Sequence, residues 1–274
     1  TDPTKYPTIR STTGLNQFEC ALIPWGIKQE VITEKNISRR MLYQFQLNYG
    51  RKFGKHNIGA MGLMKREEYA IGSMFKNYRE DWVFRTTYDY ESRYLLELNG
   101  AYNGSEQFGP GYRFDFFPSV AVGWTVSNEK FWKIDWMNRL KFRYSTGMVG
   151  DDKVSGARWL YDSQLAYGGN SVLNSQGRRN SPYTWYTESV VGNPNIHWEK
   201  ALKKNYGVEL GLFRDMFSVT YDYFTEDRTD ILLAGSSRNV PPFFGATPPS
   251  ANLGRVKSKG YELEIRFDKR KNRD

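Results

Sequence analysis

The sequence predicts an all-β fold: an antiparallel transmembrane β-barrel segment with long extracellular loops. Three observations predict it. Apolar and polar residues alternate in stretch after stretch, as where Tyr206, Val208, Leu210 and Leu212 interleave with Asn205, Gly207, Glu209 and Gly211. Successive strand side chains point to opposite faces, so each such stretch is a strand with one greasy and one polar row. Aromatic residues make up 16% of the 274-residue chain, a level expected where rings line a membrane–water interface. The polar rows also hold full charges, which a dry sandwich core rejects and an aqueous barrel interior accepts.

Taken in order, residues 1–41 carry Pro3, Pro7, Pro24 and Thr12-Thr13-Gly14 and read as an extracellular loop region before the first strand. Residues 42–274 read as barrel. Tyr43, Phe45, Leu47 and Tyr49 alternate with Gln44, Gln46 and Asn48. A turn at 51–55 leads to a weaker, glycine-rich strand from His56 to Lys65, and the polar stretch 66–80 reads as loop, with a helical turn over Glu67 to Ala70 as the alternative. Trp82, Phe84, Tyr88 and Tyr90 alternate with Arg85, Thr87 and Asp89 before a turn at 91–92. Leu96, Leu98 and Tyr102 then alternate with Glu97, Asn99 and Asn103, and 104–116 is a Gly/Pro loop. Val120, Val122, Trp124 and Val126 alternate with Ser119, Ala121, Gly123 and Thr125.

Residues 127–137 read as a turn holding a Ser127 N-cap and a short amphipathic helix, with Phe131, Ile134 and Trp136 on its apolar side. Leu140, Phe142 and Tyr144 face away from Lys141, Arg143 and Ser145. The longest connection covers 146–203. Beyond it comes the 205–212 strand, a tight turn at 214–216, and a strand with Phe217, Val219, Tyr221 and Tyr223 on one row. A loop at 227–256 contains Pro241-Pro242 and Pro248-Pro249. Tyr261, Leu263, Ile265 and Phe267 close the series against Glu262, Glu264 and Arg266.

This gives about nine strands, near the ~9–11 residues that cross a bilayer at a tilt. Short turns at 51–55, 91–92, 127–137 and 214–216 alternate with longer loops at 66–80, 104–116, 146–203 and 227–256. An outer-membrane barrel sorts its connections this way, short on the periplasmic side and long outside. A sandwich or propeller has no reason to. Unpaired edges are not tolerated in hydrocarbon, so the expectation is an internal segment of a larger barrel. Lys141, Arg143, Glu209, Asp222, Glu262 and Glu264 are its candidate lumen-lining residues.

Several chemistries find no support. The net charge of +9 is spread through turns and loops, with no phosphate loop, RNP motif or helix-turn-helix, so no nucleic-acid partner is expected. Cys20 stands alone, and no leader peptide opens the chain at Thr1-Asp2-Pro3. His56 and His197 are far apart and lack metal-ligand company. Asp151-Asp152 and Asp227 with Asp230 lack the EF-hand pattern. Ser175 and Ser189 have no nucleophile-elbow glycines. Glu262 and Glu264 share a strand face, as glycosidase carboxylates can, and lumen lining explains them equally well. No enzyme activity, metal or cofactor is expected. Phe116-Phe117-Pro118 fixes the start of a strand, where proline belongs. Trp159, Tyr161, Tyr167, Tyr183, Trp185 and Tyr186 in the longest loop either stack on a substrate or pack the loop on itself. Arg178-Arg179 reads as a solvated loop tip, with acidic substrate or lipopolysaccharide phosphate as the alternative.

Five stretches resemble the SusC/RagA class of TonB-dependent outer-membrane transporters. They are Gly104-Ser105 through Phe108-Gly109 and Arg113 to Phe116-Phe117-Pro118-Ser119 and Gly123-Trp124; Leu140 to Gly147 followed by Gly150-Asp151; Gly192 to Lys200, reading GNPNIHWEK; Tyr221 to Phe224 with Thr229 to Leu233; and Asn252-Leu253-Gly254 with Lys259-Gly260-Tyr261-Glu262. Their order and spacing follow the family over roughly residues 95 to 268, while residues 1–90 fit by strand pattern alone. The resemblance implies a plugged barrel of about 22 strands in the bacterial outer membrane. It implies energy-driven import of oligosaccharides or peptides. It also implies a SusD-type surface lipoprotein over the loops, contact with lipid and lipopolysaccharide, and TonB–ExbB–ExbD acting through a plug with no counterpart in these residues. An adhesin or scaffold barrel is the alternative, and a soluble carbohydrate-binding β domain the third reading.

Overall fold

A computed structural model describes residues 8–11, 18–21, 37–71, 75–153, 158–170, 184–241, 243 and 247–268. In chain order the strands are β1 (Thr8–Ser11), β2 (Phe18–Ala21), β3 (Ser38–Phe53), β4 (His56–Ile71), β5 (Asn77–Tyr90), β6 (Tyr94–Ser105), β7 (Phe114–Thr125), β8 (Met137–Asp151), β9 (Gln164–Asn170), β10 (Thr184–Val190), β11 (Glu199–Leu212), β12 (Phe217–Leu233) and β13 (Ala251–Phe267). β1 and β2 form an antiparallel hairpin, Ile9 opposite Cys20, in a compact unit of its own. Within the second unit, β9 and β10 make another hairpin, and the other nine strands form one sheet ordered β3-β4-β5-β6-β7-β8-β11-β12-β13. It is an open up-and-down meander with β3 and β13 at its edges, interrupted only by the β9–β10 excursion.

The sheet is inside-out by the standard of a water-soluble protein. In β6, Tyr94, Leu96, Leu98 and Tyr102 are exposed, while Glu97, Asn99 and Asn103 between them are half-buried. Leu263 is 59% exposed, whereas the side chains of Glu209 and Asp222 are 24% and 17% exposed. Water drives apolar surface inward, so an outward apolar row requires an apolar solvent. That is the arrangement of a membrane-spanning barrel wall.

The nine strands are those the alternation predicts, but they run farther. Residues 66–80, read as loop, are mostly strand: β4 continues to Ile71 and β5 begins at Asn77. Here cross-strand charge replaces the apolar row, with Arg40 Nε 2.7 Å from Glu67 and Lys76 Nζ 3.1 Å from Glu68. β8 likewise continues to Asp151, β11 begins at Glu199, β12 ends at Leu233 and β13 begins at Ala251. The two longest connections therefore contract to 152–198 and 234–250. The helix expected within 127–137 does not form. A single 3-10 turn, Val126–Asn128, stands at the start of that connection, and Phe131 and Trp136 are exposed. A segment this short is not helical by itself, and these rings have no core to pack against. The loop expected over 1–41 contains the β1–β2 hairpin and the first residues of β3.

Candidate functional site

Cross-strand register places the apolar rows on one face. Tyr144, Tyr206, Tyr223 and Tyr261 stand side by side across β8, β11, β12 and β13, with neighbouring ring centroids 4.9 Å apart for Tyr144–Tyr206 and 6.3 Å for Tyr206–Tyr223. Toward the short turns the same face carries Leu140, Leu210, Val219 and Ile265 in one row. It ends in the rings of Phe217 and Phe267, 4.8 Å apart. Aliphatic side chains bounded by aromatic rows is the order a bilayer selects, because amphipathic rings settle at the headgroup level.

The opposite face carries a charge network. Arg143 on β8 donates from Nη2 to both carboxylate oxygens of Asp222 on β12, at 3.1 and 3.0 Å. The intervening strand allows this because Gly207 stands between them. A Cβ there would lie 2.6 Å from Asp222 Oδ1. Arg143 Nε also lies 3.0 Å from Glu209 Oε1, a charge contact off the hydrogen-bond line, and Lys141 Nζ is 3.9 Å from the same oxygen. Four of the residues expected to line a lumen thus form one cluster. Glu262 stands directly across from Asp222 in the register, while Glu264 pairs with Arg266 at 2.6 Å on the edge strand. Beside the cluster, Arg85 holds Glu97 at 2.8 Å and Asn99 donates to that carboxylate at 3.0 Å.

At the long-loop end the connections pack into a dry cluster. Phe108, Phe117, Leu160, Ile196 and Trp198 are all buried, Trp198 to 1% exposure. Its ring lies 5.1 Å from Phe108 and 5.4 Å from Phe117, and its Nε1 donates to the Arg113 carbonyl at 3.2 Å. Asn252 Nδ2 donates to the carbonyls of His197 (2.8 Å) and Asp230 (2.7 Å), and Asn193 Nδ2 to that of Ser250 (2.9 Å). Arg158 joins Glu106 at 2.6 Å and donates to the carbonyls of Phe75 and Lys76.

The aromatic residues singled out in the longest loop do not converge. Trp159 and Tyr161 line a cavity of about 420 Å3 together with Arg66, Arg79, Arg113 and Glu106. Arg158 lies over the Trp159 ring at 4.3 Å. Tyr167 and Tyr186 instead meet edge-on at 5.9 Å on the β9–β10 hairpin, both exposed. Tyr183 and the side chain of Trp185 lie outside the described residues. The arginines of the cavity escaped the sequence reading because two of them stand at strand ends taken for loop. Alternation of charge with no apolar row, as in Arg79-Glu80-Asp81, was the available signal.

A family profile described as TonB dependent receptor-like, beta-barrel, matches residues 36–270. The chain is 29% identical over 182 residues to TonB-dependent receptor P39 of Formosa agariphila, covering 66% of this chain and 16% of that protein. It is 28% identical over 206 residues to TonB-dependent receptor SusC of Bacteroides thetaiotaomicron, covering 73% and 19%. Among solved structures, the RagAB peptide importer in its closed-closed state superposes with a TM-score of 0.70 at 17% identity, covering 86% of this chain and 28% of that one. The chain spans between 16% and 26% of the length of the curated relatives it matches. Nine outward-greasy strands, their register and a profile match along most of their length agree: the chain belongs to the TonB-dependent receptor-like β-barrel family of the outer membrane.

Proposed function

We propose that this chain is wall and extracellular vestibule of an outer-membrane importer that takes up oligosaccharides or peptides. The observation that carries the reading is the two-faced sheet. Its apolar rows point outward, and Lys141, Arg143, Glu209 and Asp222 hold one another on the other face. A water-lined path tolerates such charges, and Glu262 and Glu264 extend it toward β13. Trp159, Tyr161, Tyr167, Tyr183, Trp185 and Tyr186 are the candidates for contact with sugar rings or peptide side chains. Energy comes from TonB–ExbB–ExbD acting through a plug inside the complete barrel, and a SusD-type lipoprotein closes over the loops. That RagAB is a peptide importer supports the transport reading. No bond is made or broken by the protein in this role.

The test removes residues 164–190, the β9–β10 hairpin and its tip, from the complete protein. Folding is checked by heat-modifiable migration in detergent, and uptake of labelled oligosaccharide and peptide mixtures is measured with TonB present and absent. The expected result is a folded barrel with uptake strongly reduced, and no uptake by either form without TonB. Unchanged uptake by the shortened barrel overturns the vestibule assignment. Cell-surface adhesion that persists without TonB, with no uptake, identifies an adhesin instead.

A further inference from the structure

Above the Tyr206–Tyr223–Tyr261 row, on the same outward face and one register step toward the long loops, stand Lys204, Thr225 and Lys259 on β11, β12 and β13. The next step brings Asp227 beside Lys257, and Arg255 follows on β13. Asp227 is occupied: Arg255 holds it at 2.9 and 2.5 Å, and Lys257 Nζ is 3.7 Å away. Lys204 and Lys259 have no carboxylate within ion-pair reach among the described residues. Their neighbour Lys203, whose side chain points to the other face, has Glu226 at 3.5 Å. Cation and carboxylate are thus matched inside the sheet and left unmatched outside it, at one level.

That level is set by geometry. From Phe217 to Thr225 the β12 strand covers the ~9–11 residues that a tilted strand needs to cross a bilayer. Phe217 is the lower ring row and Tyr223 the upper one, so Thr225 stands at headgroup height on the long-loop side, which is the cell exterior. Strands lie about 4.8 Å apart, so Lys204 and Lys259 flank Thr225 with their backbones about 10 Å from each other. Two ammonium groups on flexible four-carbon stems can close over one anion above the Thr225 hydroxyl. We propose that Lys204, Thr225 and Lys259 form a clamp for a phosphate group of the outer-leaflet glycolipid, with Arg255 and Lys257 extending the positive field. The occupant is the lipid because the row continues the lipid-facing surface directly. The inference rests on the fold and on membrane position, not on import.

Binding is measured by native mass spectrometry and by titration on the complete barrel in detergent, with bis-phosphorylated lipid A, dephosphorylated lipid A and inorganic phosphate as probes. Lipid A is expected to bind, the dephosphorylated lipid to bind far more weakly, and inorganic phosphate at millimolar concentration to leave the lipid in place. The Lys204→Gln/Lys259→Gln variant is expected to lose affinity for lipid A by about thirtyfold, the worth of two lysines at an anionic surface, and Lys203→Gln to lose little. Equal binding of both lipids by the unaltered protein overturns the proposal and needs no variant. So does full displacement by inorganic phosphate, which would mark a free-anion site, or unchanged affinity in the folded double variant.

Discussion

Trp198 holds the long-loop end together. It touches Phe108 from the β6–β7 connection and Phe117 from β7, and its indole nitrogen is satisfied by the Arg113 carbonyl. Small residues make room for this packing: a Cβ on Gly150 would collide with the Phe117 ring at 2.1 Å. Truncating a buried indole of this kind costs about 3–5 kcal/mol through lost contact and the cavity left behind. Trp198→Ala is therefore expected to free the loops before the wall. Limited proteolysis should cut between β8 and β11 well below the temperature at which the barrel itself unfolds. Simultaneous loss of loops and barrel would show that the cluster is not a separate layer. The motif containing Trp198 is legible in the sequence, but its partners lie far away in the chain, and no local period points to them.

Strand number and order were legible at the level of elements because the bilayer enforces a period of two on every crossing segment. Where the strands leave the bilayer that requirement ends. Glu67 and Glu68, and Arg79 with Asp81, keep strand geometry through charge pairs on both faces, so hydrophobic alternation cannot mark them. The short-turn end has its own charge logic. Glu91 N donates to the Lys55 carbonyl at 3.0 Å, and the two side chains form a salt bridge joining the β3–β4 and β5–β6 turns. The hydrogen bond from Lys55 holds the Glu91 carboxyl below its ordinary value of 4.5, and the same bond raises Lys55 above 10.5. A lowered acid favours the fold above its unfolded value and loses that contribution as pH falls through the folded one. A raised base keeps its contribution until pH climbs past the unfolded value of 10.5. The stability difference between the unaltered barrel and Glu91→Gln should therefore be constant near neutral pH and vanish on acidification below 4.5. Urea unfolding in lipid vesicles at stepped pH reads it, and a difference that survives at acid pH would exclude the salt bridge as its source.

For the whole molecule, the decisive property is which face meets hydrocarbon, and adjacent residues of one strand can test it. Val219 stands in the aliphatic row between Leu210 and Ile265, one register step inside the Phe217–Phe267 ring row. Thr220, the next residue, points to the opposite face, where Glu209 and Glu264 are its cross-strand neighbours. Arginine on the lipid face of a barrel wall costs about 2–4 kcal/mol at the bilayer midplane and about 0–1 kcal/mol near the interface. An arginine between two carboxylates on an aqueous face costs nothing comparable and gains ion pairs worth up to about 1 kcal/mol. Val219→Arg, between the interface and the midplane, is thus expected to lower the unfolding free energy of the complete barrel in vesicles by about 1–3 kcal/mol, with Thr220→Arg neutral or slightly stabilising. A soluble sheet whose aliphatic row lay exposed to water would show no such loss at Val219, since a charge on a wetted surface costs little. Equal tolerance of arginine at both positions would therefore remove the membrane from the account, along with the lumen, the vestibule and the lipid clamp that depend on it.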